Sequence, residues 1–172
     1  YIIPSILDDK KNIDKFIQRN KGKKVIVVQG IGYVGAAMAV VCANAIKEDY
    51  AVIGIDLPNE QNFWKIQSIN EGIFPLVAED PKIEDYFQSS VDRRNFFATY
   101  DSYVYSLADV IIVDVNLDVN VNYLQSSFFR KNRQGEIDNY EVDMSFFKKA
   151  IESIAENCRE DALIMIETTV PP

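Results

Sequence analysis

Six residues, Gly30-Ile31-Gly32-Tyr33-Val34-Gly35, constrain this chain more than any others. They spell G-x-G-x-x-G and stand between a short β-branched run, Lys23–Val28, and a long stretch of apolar and small residues, Tyr33–Ile46. A chain that leaves a strand and enters a helix within a few residues needs backbone freedom and close packing at the junction. Gly30 permits the sharp turn, Gly32 presents no Cβ to whatever approaches it, and Gly35 lets the helix lie close on the strand. Ala51–Ile55 follows as a second apolar run and completes a βαβ unit. Both runs are continuously apolar rather than alternating, the pattern of strands in a parallel sheet covered on both faces.

The remainder of the 172 residues extends this pattern. Residues 1–22 read as an N-terminal extension holding a short amphipathic helix, with Ile13, Phe16 and Ile17 at helical spacing, and residues 23–172 as one domain. The sequence predicts helices over Glu60–Asn70 and residues 82–90, a loop over Gly72–Pro81, a weak strand at Phe96–Thr99 and a short helix at Ser102–Leu107. A strong buried strand at Val110–Val115 precedes a long polar stretch, Asn116–Asp143, which reads as a functional or mobile loop. Asp143 is placed to cap a helix over Met144–Cys158, whose apolar stripe is Phe146, Phe147, Ala150, Ile151 and Ile154, and Ala162–Ile166 reads as the last strand. The fold class expected is α/β: a Rossmann-type open, mainly parallel sheet with helices on both faces.

Composition narrows the chemistry. There is no histidine, which removes His-based triads, His general bases and His-ligated metals from this stretch, so no metal site is expected. The two cysteines, Cys42 and Cys158, form no CxxC pair and no disulfide framework, and a reducing cytoplasm is the simplest setting. With 18 basic and 26 acidic residues the net charge is −8, which argues against a nucleic-acid or anionic-membrane surface. No apolar run reaches the roughly 18–20 residues that span a bilayer, and the first residues lack a secretory pattern.

An acidic chain can still hold an anion locally. Amides at the start of the helix after the glycine turn, with the positive end of its dipole, suit a diphosphate. Asp56 stands at the end of the second strand, 21 residues after Gly35, the offset at which a carboxylate accepts hydrogen bonds from the adenine-side ribose hydroxyls. A carboxylate there would repel a 2′-phosphate, so the cofactor expected is NAD rather than NADP. FAD, S-adenosylmethionine and a vestigial site are the alternatives, and Asp56 alone is also compatible with a turn cap.

The glycine turn GIGYVG, the later run Ala108-Asp109-Val110-Ile111-Ile112-Val113 and the closing Glu167-Thr168-Thr169-Val170-Pro171-Pro172 together resemble the amino-terminal domain of the UDP-glucose/GDP-mannose dehydrogenases, whose blocks are GxGYVG, ADVIIIxVPTP and ESTVPPG in that order. Lys65–Gly72 also resembles the family's segment after the second strand. The resemblance implies NAD-dependent oxidation of a nucleotide-sugar C6 alcohol to a carboxylate, through two hydride transfers and a thiohemiacetal on a cysteine. It places that cysteine beyond the end of this chain, so no catalytic residue is expected here. Cys42 and Cys158 read as structural thiols.

By the same resemblance Gly30, Ile31, Gly32, Tyr33, Val34 and Gly35 hold the diphosphate. Asp56 and Lys65 serve the adenosine side, and Val115, Asn116, Glu167 and Thr169 lie near the cofactor. Lys65 is alternatively a solvated helix lysine, and Glu167 and Thr169 alternatively ordinary strand-end residues. Leu117 stands where the family has a threonine that contacts cofactor and substrate. Phe128–Arg133, basic and aromatic, reads as a lid over nucleotide-sugar phosphates or as a solvated or subunit-contact loop.

The chain opens on Tyr1 and closes on two prolines directly after a strand, so it is expected to be part of a longer polypeptide, cut before a central helix and substrate domain. The resemblance implies that the full-length protein is a homodimer. A dinucleotide-binding regulatory module and another NAD-dependent hydroxyacid or hydroxyacyl dehydrogenase are the other readings open at this level.

Overall fold

A computed structural model describes residues 3–77, 79–115, 117–121 and 140–168. Five strands form one parallel sheet: β1 (Lys24–Gln29), β2 (Tyr50–Ile55), β3 (Phe96–Thr99), β4 (Val110–Val113) and β7 (Leu163–Ile166), in the order β3-β2-β1-β4-β7. Helices α1 (Ile6–Arg19), α2 (Tyr33–Ala43), α3 (Phe63–Asn70), α4 (Lys82–Arg93) and α5 (Ser145–Asn157) cover it, with a 3-10 helix at Ser102–Leu107. The chain winds outward from β1 through β2 to β3, then crosses back to β4 beside β1. The carboxyl ends of β1 and β4 therefore diverge around a crevice, the switch point at which such sheets bind ligands.

The two faces follow from the strand alternation. Val25, Val27, Ala51, Ile53, Ile55, Ile111 and Val113 pack toward α1, the 3-10 helix and α5, while Ile26, Val28, Val52 and Ile112 pack toward α2. α1 is no free extension: Ile13 and Phe16 sit in the first of these clusters, and the Phe16 ring stacks on Phe97 at 5.5 Å. The β3-to-β4 connection carries only the short 3-10 helix, so α1 fills sheet surface that a longer crossover helix would otherwise cover.

α1 also carries a buried carboxylate. Asp9 is 3% exposed and accepts a short hydrogen bond from the Thr99 hydroxyl at the end of β3. Burial raises its pKa above the ordinary aspartate value, only partly offset by the Thr99 hydroxyl and the Tyr100 amide. A raised folded-state pKa means that the charged form penalises folding at neutral pH and that the penalty fades as pH falls toward it. Asp9→Asn should therefore gain in Tm relative to wild type more at pH 8 than at pH 5, measured by thermal melts of both proteins; an equal difference at the two pH values would contradict this.

The sheet's ends are managed separately. At the amino end, Asp109 Oδ2 accepts from the Val25 amide at 2.7 Å and Oδ1 from Arg159 at 3.2 Å, tying β4 to β1 and to the entry of β7. The aspartate of the ADVII block is thus structural. The free edge of β3 is closed by Asn70, whose carboxamide accepts from the Ala98 amide at 2.9 Å and donates to the Ala98 carbonyl at 2.8 Å, imitating one step of a neighbouring strand.

Several expectations are corrected. The strand Ala162–Ile166 is confined to Leu163–Ile166, and its four side chains are exposed, from 41% at Met165 to 58% at Leu163. It pairs with β4 at the sheet edge, and among the described residues nothing covers its outer side; an apolar run alone does not distinguish a central strand from an edge. The stretch read as a loop begins and ends as an antiparallel pair, β5 (Asp118–Val121) with β6 (Tyr140–Asp143). Phe128–Arg133 lies outside the described residues. α2 stops at Ala43, leaving Ile46 in solvent, because the Asn44 and Ala45 amides close the helix in a tighter turn. α3 starts at Phe63 rather than Glu60, since Asn59 first holds a turn by accepting from the Asn62 amide. α5 starts at Ser145 rather than Met144, with Met144 as its N-cap, and Asp143 one residue earlier accepts from the Ser145 amide at 2.8 Å.

Candidate cofactor site

The cleft at the switch point has a volume of about 620 Å³ and is lined by Gly30, Gly32, Asp56, Lys65 and Val115 together with Asp114 from the end of β4 and Lys149 from α5. Five of the residues singled out in the sequence therefore meet in one place.

Each glycine of the turn has a distinct physical reason. Gly30 has φ +91°, and a Cβ there would stand 2.1 Å from the Asp114 carbonyl oxygen, so both conformation and space exclude a side chain. At Gly35 a Cβ would stand 1.8 Å from the Gly30 carbonyl oxygen, the mark of a helix lying directly on the turn. Gly32 differs from both: a Cβ there would meet nothing within 4 Å. It is the N-cap of α2, has ordinary extended backbone and contributes no side-chain cap, while the first amides of a helix have no acceptor within it. The structure thus leaves space at Gly32 that its own atoms do not use, facing amides that seek an acceptor. That is the arrangement a diphosphate requires.

Ile31, Tyr33 and Val34 serve the turn differently. The Ile31 side chain is fully buried over Gly54, where a Cβ would stand 2.6 Å from it, so only its backbone is available to the cleft. Tyr33 and Val34 are 74% and 59% exposed on the first turn of α2.

Asp56 and Lys65 form one unit. Lys65 Nζ lies 2.7 Å from Asp56 Oδ2, and both side chains are only 11% exposed, so the solvated-lysine reading does not hold. The same carboxylate accepts from the Ile31 amide at 3.3 Å and, through Oδ1, from the Leu57 amide at 2.8 Å. Three of roughly four lone-pair positions are used, leaving acceptor capacity for one further hydroxyl beside a fixed cation.

Farther along the cleft, Tyr105 donates a short hydrogen bond to the Gln29 side-chain carbonyl at the end of β1, and burial pushes its phenol well above the usual range. The Val115 amide donates to the Thr168 hydroxyl at 3.0 Å, and the Glu167 amide donates to the Val113 carbonyl at 2.9 Å, linking the ends of β4 and β7. Glu167 itself is exposed. Asn116 and Thr169 lie outside the described residues. Cys42 and Cys158 are half-buried away from the cleft, and burial raises the Cys42 thiol pKa, the opposite of an activated nucleophile.

The sequence matches the model described as "UDP-glucose/GDP-mannose dehydrogenase family, NAD binding domain" over residues 24–172. The chain belongs to the UDP-glucose/GDP-mannose dehydrogenase family. Its cofactor is NAD, and the open seat at Gly32 beside the Asp56 carboxylate fits that dinucleotide. Among curated relatives of this family, UDP-N-acetyl-D-mannosamine dehydrogenase of Pyrococcus horikoshii is 28% identical over 147 residues, 86% of this chain and 29% of the relative. The enzyme of that name from Methanococcus maripaludis is 26% identical over 150 residues, 87% of this chain and 29% of the relative.

The crystal structure of NDP-N-acetyl-D-galactosaminuronic acid dehydrogenase from Methanosarcina mazei Go1 shares the fold with a TM-score of 0.71 at 24% identity, over 93% of this chain and 30% of that one. The chain thus spans about three-tenths of the length of the relatives it matches. No helix among the described residues is long and apolar enough to cross a membrane.

Asp114 is the site residue that sequence reasoning missed. It falls at the end of a run read as buried strand, Val110–Val115, whereas β4 stops at Val113 and Asp114 turns into the cleft. The available signal was a charged residue ending an otherwise apolar strand at the crossover.

Proposed function

We propose that this chain is the NAD-binding part of a nucleotide-sugar 6-dehydrogenase, which oxidises the C6 alcohol of a UDP- or GDP-linked sugar to a carboxylate. The balanced reaction takes two NAD and one water per sugar alcohol and releases the carboxylate, two NADH and three protons. When bound, NAD supplies the hydride acceptor. The observation that carries the reading is the unfilled space at Gly32 set beside the Asp56–Lys65 pair in one cleft.

In this reading the amides of residues 32–34 hold the diphosphate, while the Ile31 amide stays on Asp56, which accepts from the adenine-side ribose with Lys65 fixing its position. The family resemblance assigns Val115, Asn116, Glu167 and Thr169 to cofactor binding. The catalytic cysteine belongs to a segment outside this chain. The full-length protein acts as a homodimer in the cytoplasm, in the synthesis of polysaccharide precursors. The matched family and the dehydrogenase names of its relatives support this reading.

Titration of the chain with NAD and NADP should show a clear preference for NAD. Asp56→Ala should weaken NAD binding and lower the Tm, because it leaves the buried Lys65 ammonium without its partner. In the full-length protein, two NADH should form per sugar nucleotide oxidised. A second reading, a dinucleotide-binding module without dehydrogenase chemistry, is favoured by Leu117 in place of the family threonine. NAD binding without turnover of any UDP- or GDP-linked sugar by the full-length protein would decide for it.

A further inference from the structure

The first turn of α2 does not face an electrically neutral cleft. Asp114, one residue beyond β4, has its backbone fixed by donation of its amide to the Gln29 carbonyl at 2.8 Å. Its carboxylate reaches back to α2: a Cβ on Gly35 would stand 3.1 Å from Asp114 Oδ2, and the Gly35 amide steadies the charge. Gly32 supplies no capping side chain, and the Asp114 carboxylate stands over the first turn of α2. An aspartate placed there stands beside the seat into which a diphosphate must fit, and the two are like charges.

We propose that Asp114 sets the affinity and pH dependence of dinucleotide binding: its carboxylate competes with the diphosphate for the first turn of α2, and binding takes up a proton there. The inference rests on the dinucleotide reading of the cleft. In the bound state the solvent-derived proton sits on the Asp114 carboxyl, whose O–H donates to a diphosphate oxygen while its other oxygen keeps the Gly35 amide. One repulsion becomes one hydrogen bond.

The surroundings favour that proton. Burial already raises the Asp114 pKa, the Gly35 amide lowers it less, and the Glu167 carboxylate at the end of β7 raises it further. Of the other ionisable groups around the cleft, Asp56 and Lys65 neutralise each other, the Tyr105 phenol stays protonated, and Lys149 of α5 is a cation that opposes the effect. α2 brings no acidic residue in its first turn. The carboxylate pKa rises again when a doubly charged diphosphate arrives, so affinity must increase as pH falls through that bound-state value.

Asp114→Asn tests this with little disturbance, since the carboxamide oxygen still accepts from Gly35. By calorimetry, NAD should bind the variant about tenfold more tightly than wild type at pH 8, the order expected for removing one like charge at close range. The two affinities should converge toward pH 5. Wild-type binding enthalpy should vary between buffers of different ionisation enthalpy, reporting proton uptake, and the variant should lose most of that variation. Equal affinities and equal proton uptake in the two proteins would overturn the proposal while leaving the dinucleotide site intact. Failure of both proteins to bind NAD at any pH would instead overturn the reading of the cleft itself. Should the variant not fold, proton uptake by wild type alone decides, since zero uptake across pH 5–8 contradicts the proposal.

Discussion

Gly32→Val should cost at least about 100-fold in NAD affinity while moving stability by no more than about 1 kcal/mol. Nothing in the protein lies within 4 Å of the Cβ that the substitution adds, and the backbone there is one that any residue adopts. Helix capping changes only modestly, because glycine already contributes no side-chain bond. The isopropyl group instead fills the one space that the turn keeps open and holds a diphosphate away from the amides of α2. Calorimetric titration with NAD and a thermal melt of the same sample separate the two effects. Retained NAD affinity in a folded Gly32→Val protein would remove the diphosphate seat from this turn.

Gly35→Ala should do the reverse, with its largest effect on the fold. A single methyl there would stand 1.8 Å from the Gly30 carbonyl oxygen and 3.1 Å from Asp114 Oδ2. The first obstacle is backbone and cannot swing aside, so α2 must lift from the turn that seats it. This disturbs the packing of Ala36, Ala39 and Val40 against the sheet and α3. A loss of roughly 3–5 kcal/mol is expected, in the range of severe overpacking, read as a fall in denaturation midpoint by chemical unfolding. NAD added in excess should recover part of it by mass action. A wild-type midpoint for Gly35→Ala would mean that helix and turn are not in this contact. The pair makes a point about the motif: two glycines three residues apart answer to different demands, one from a ligand and one from the protein's own backbone.

The Asp109 and Asp114 carboxylates show the same division along a single strand. Five residues apart, they lie at opposite ends of β4, where one holds the register against β1 and the other turns into the cleft. In the sequence both are acids flanking an apolar run, and nothing local separates them. Likewise Ala51–Ile55 and Leu163–Ile166 are equally apolar runs, yet the first is buried between β1 and β3 and the second is exposed at the sheet edge. Burial depends on what packs against a strand's faces: β3 is an edge strand too, yet Ala98 and Thr99 are fully buried because α3 and α1 lie over them.

What the sequence determined by itself was whatever is encoded within a few turns of chain. The strand-to-helix switch, the glycine turn and the offset of Asp56 are fixed by backbone sterics and by the length of one βαβ unit, so they can be read without a fold. Only the tertiary structure decided what surrounds them. Lys65 becomes the partner of Asp56 because α3 folds back over the end of β2, and Asp114 arrives at the amide of Gly35 from 79 residues away because β4 pairs with β1. Charge interactions act through space at a few ångströms, and parallel pairing brings together residues whose separation along the chain carries no trace of that nearness.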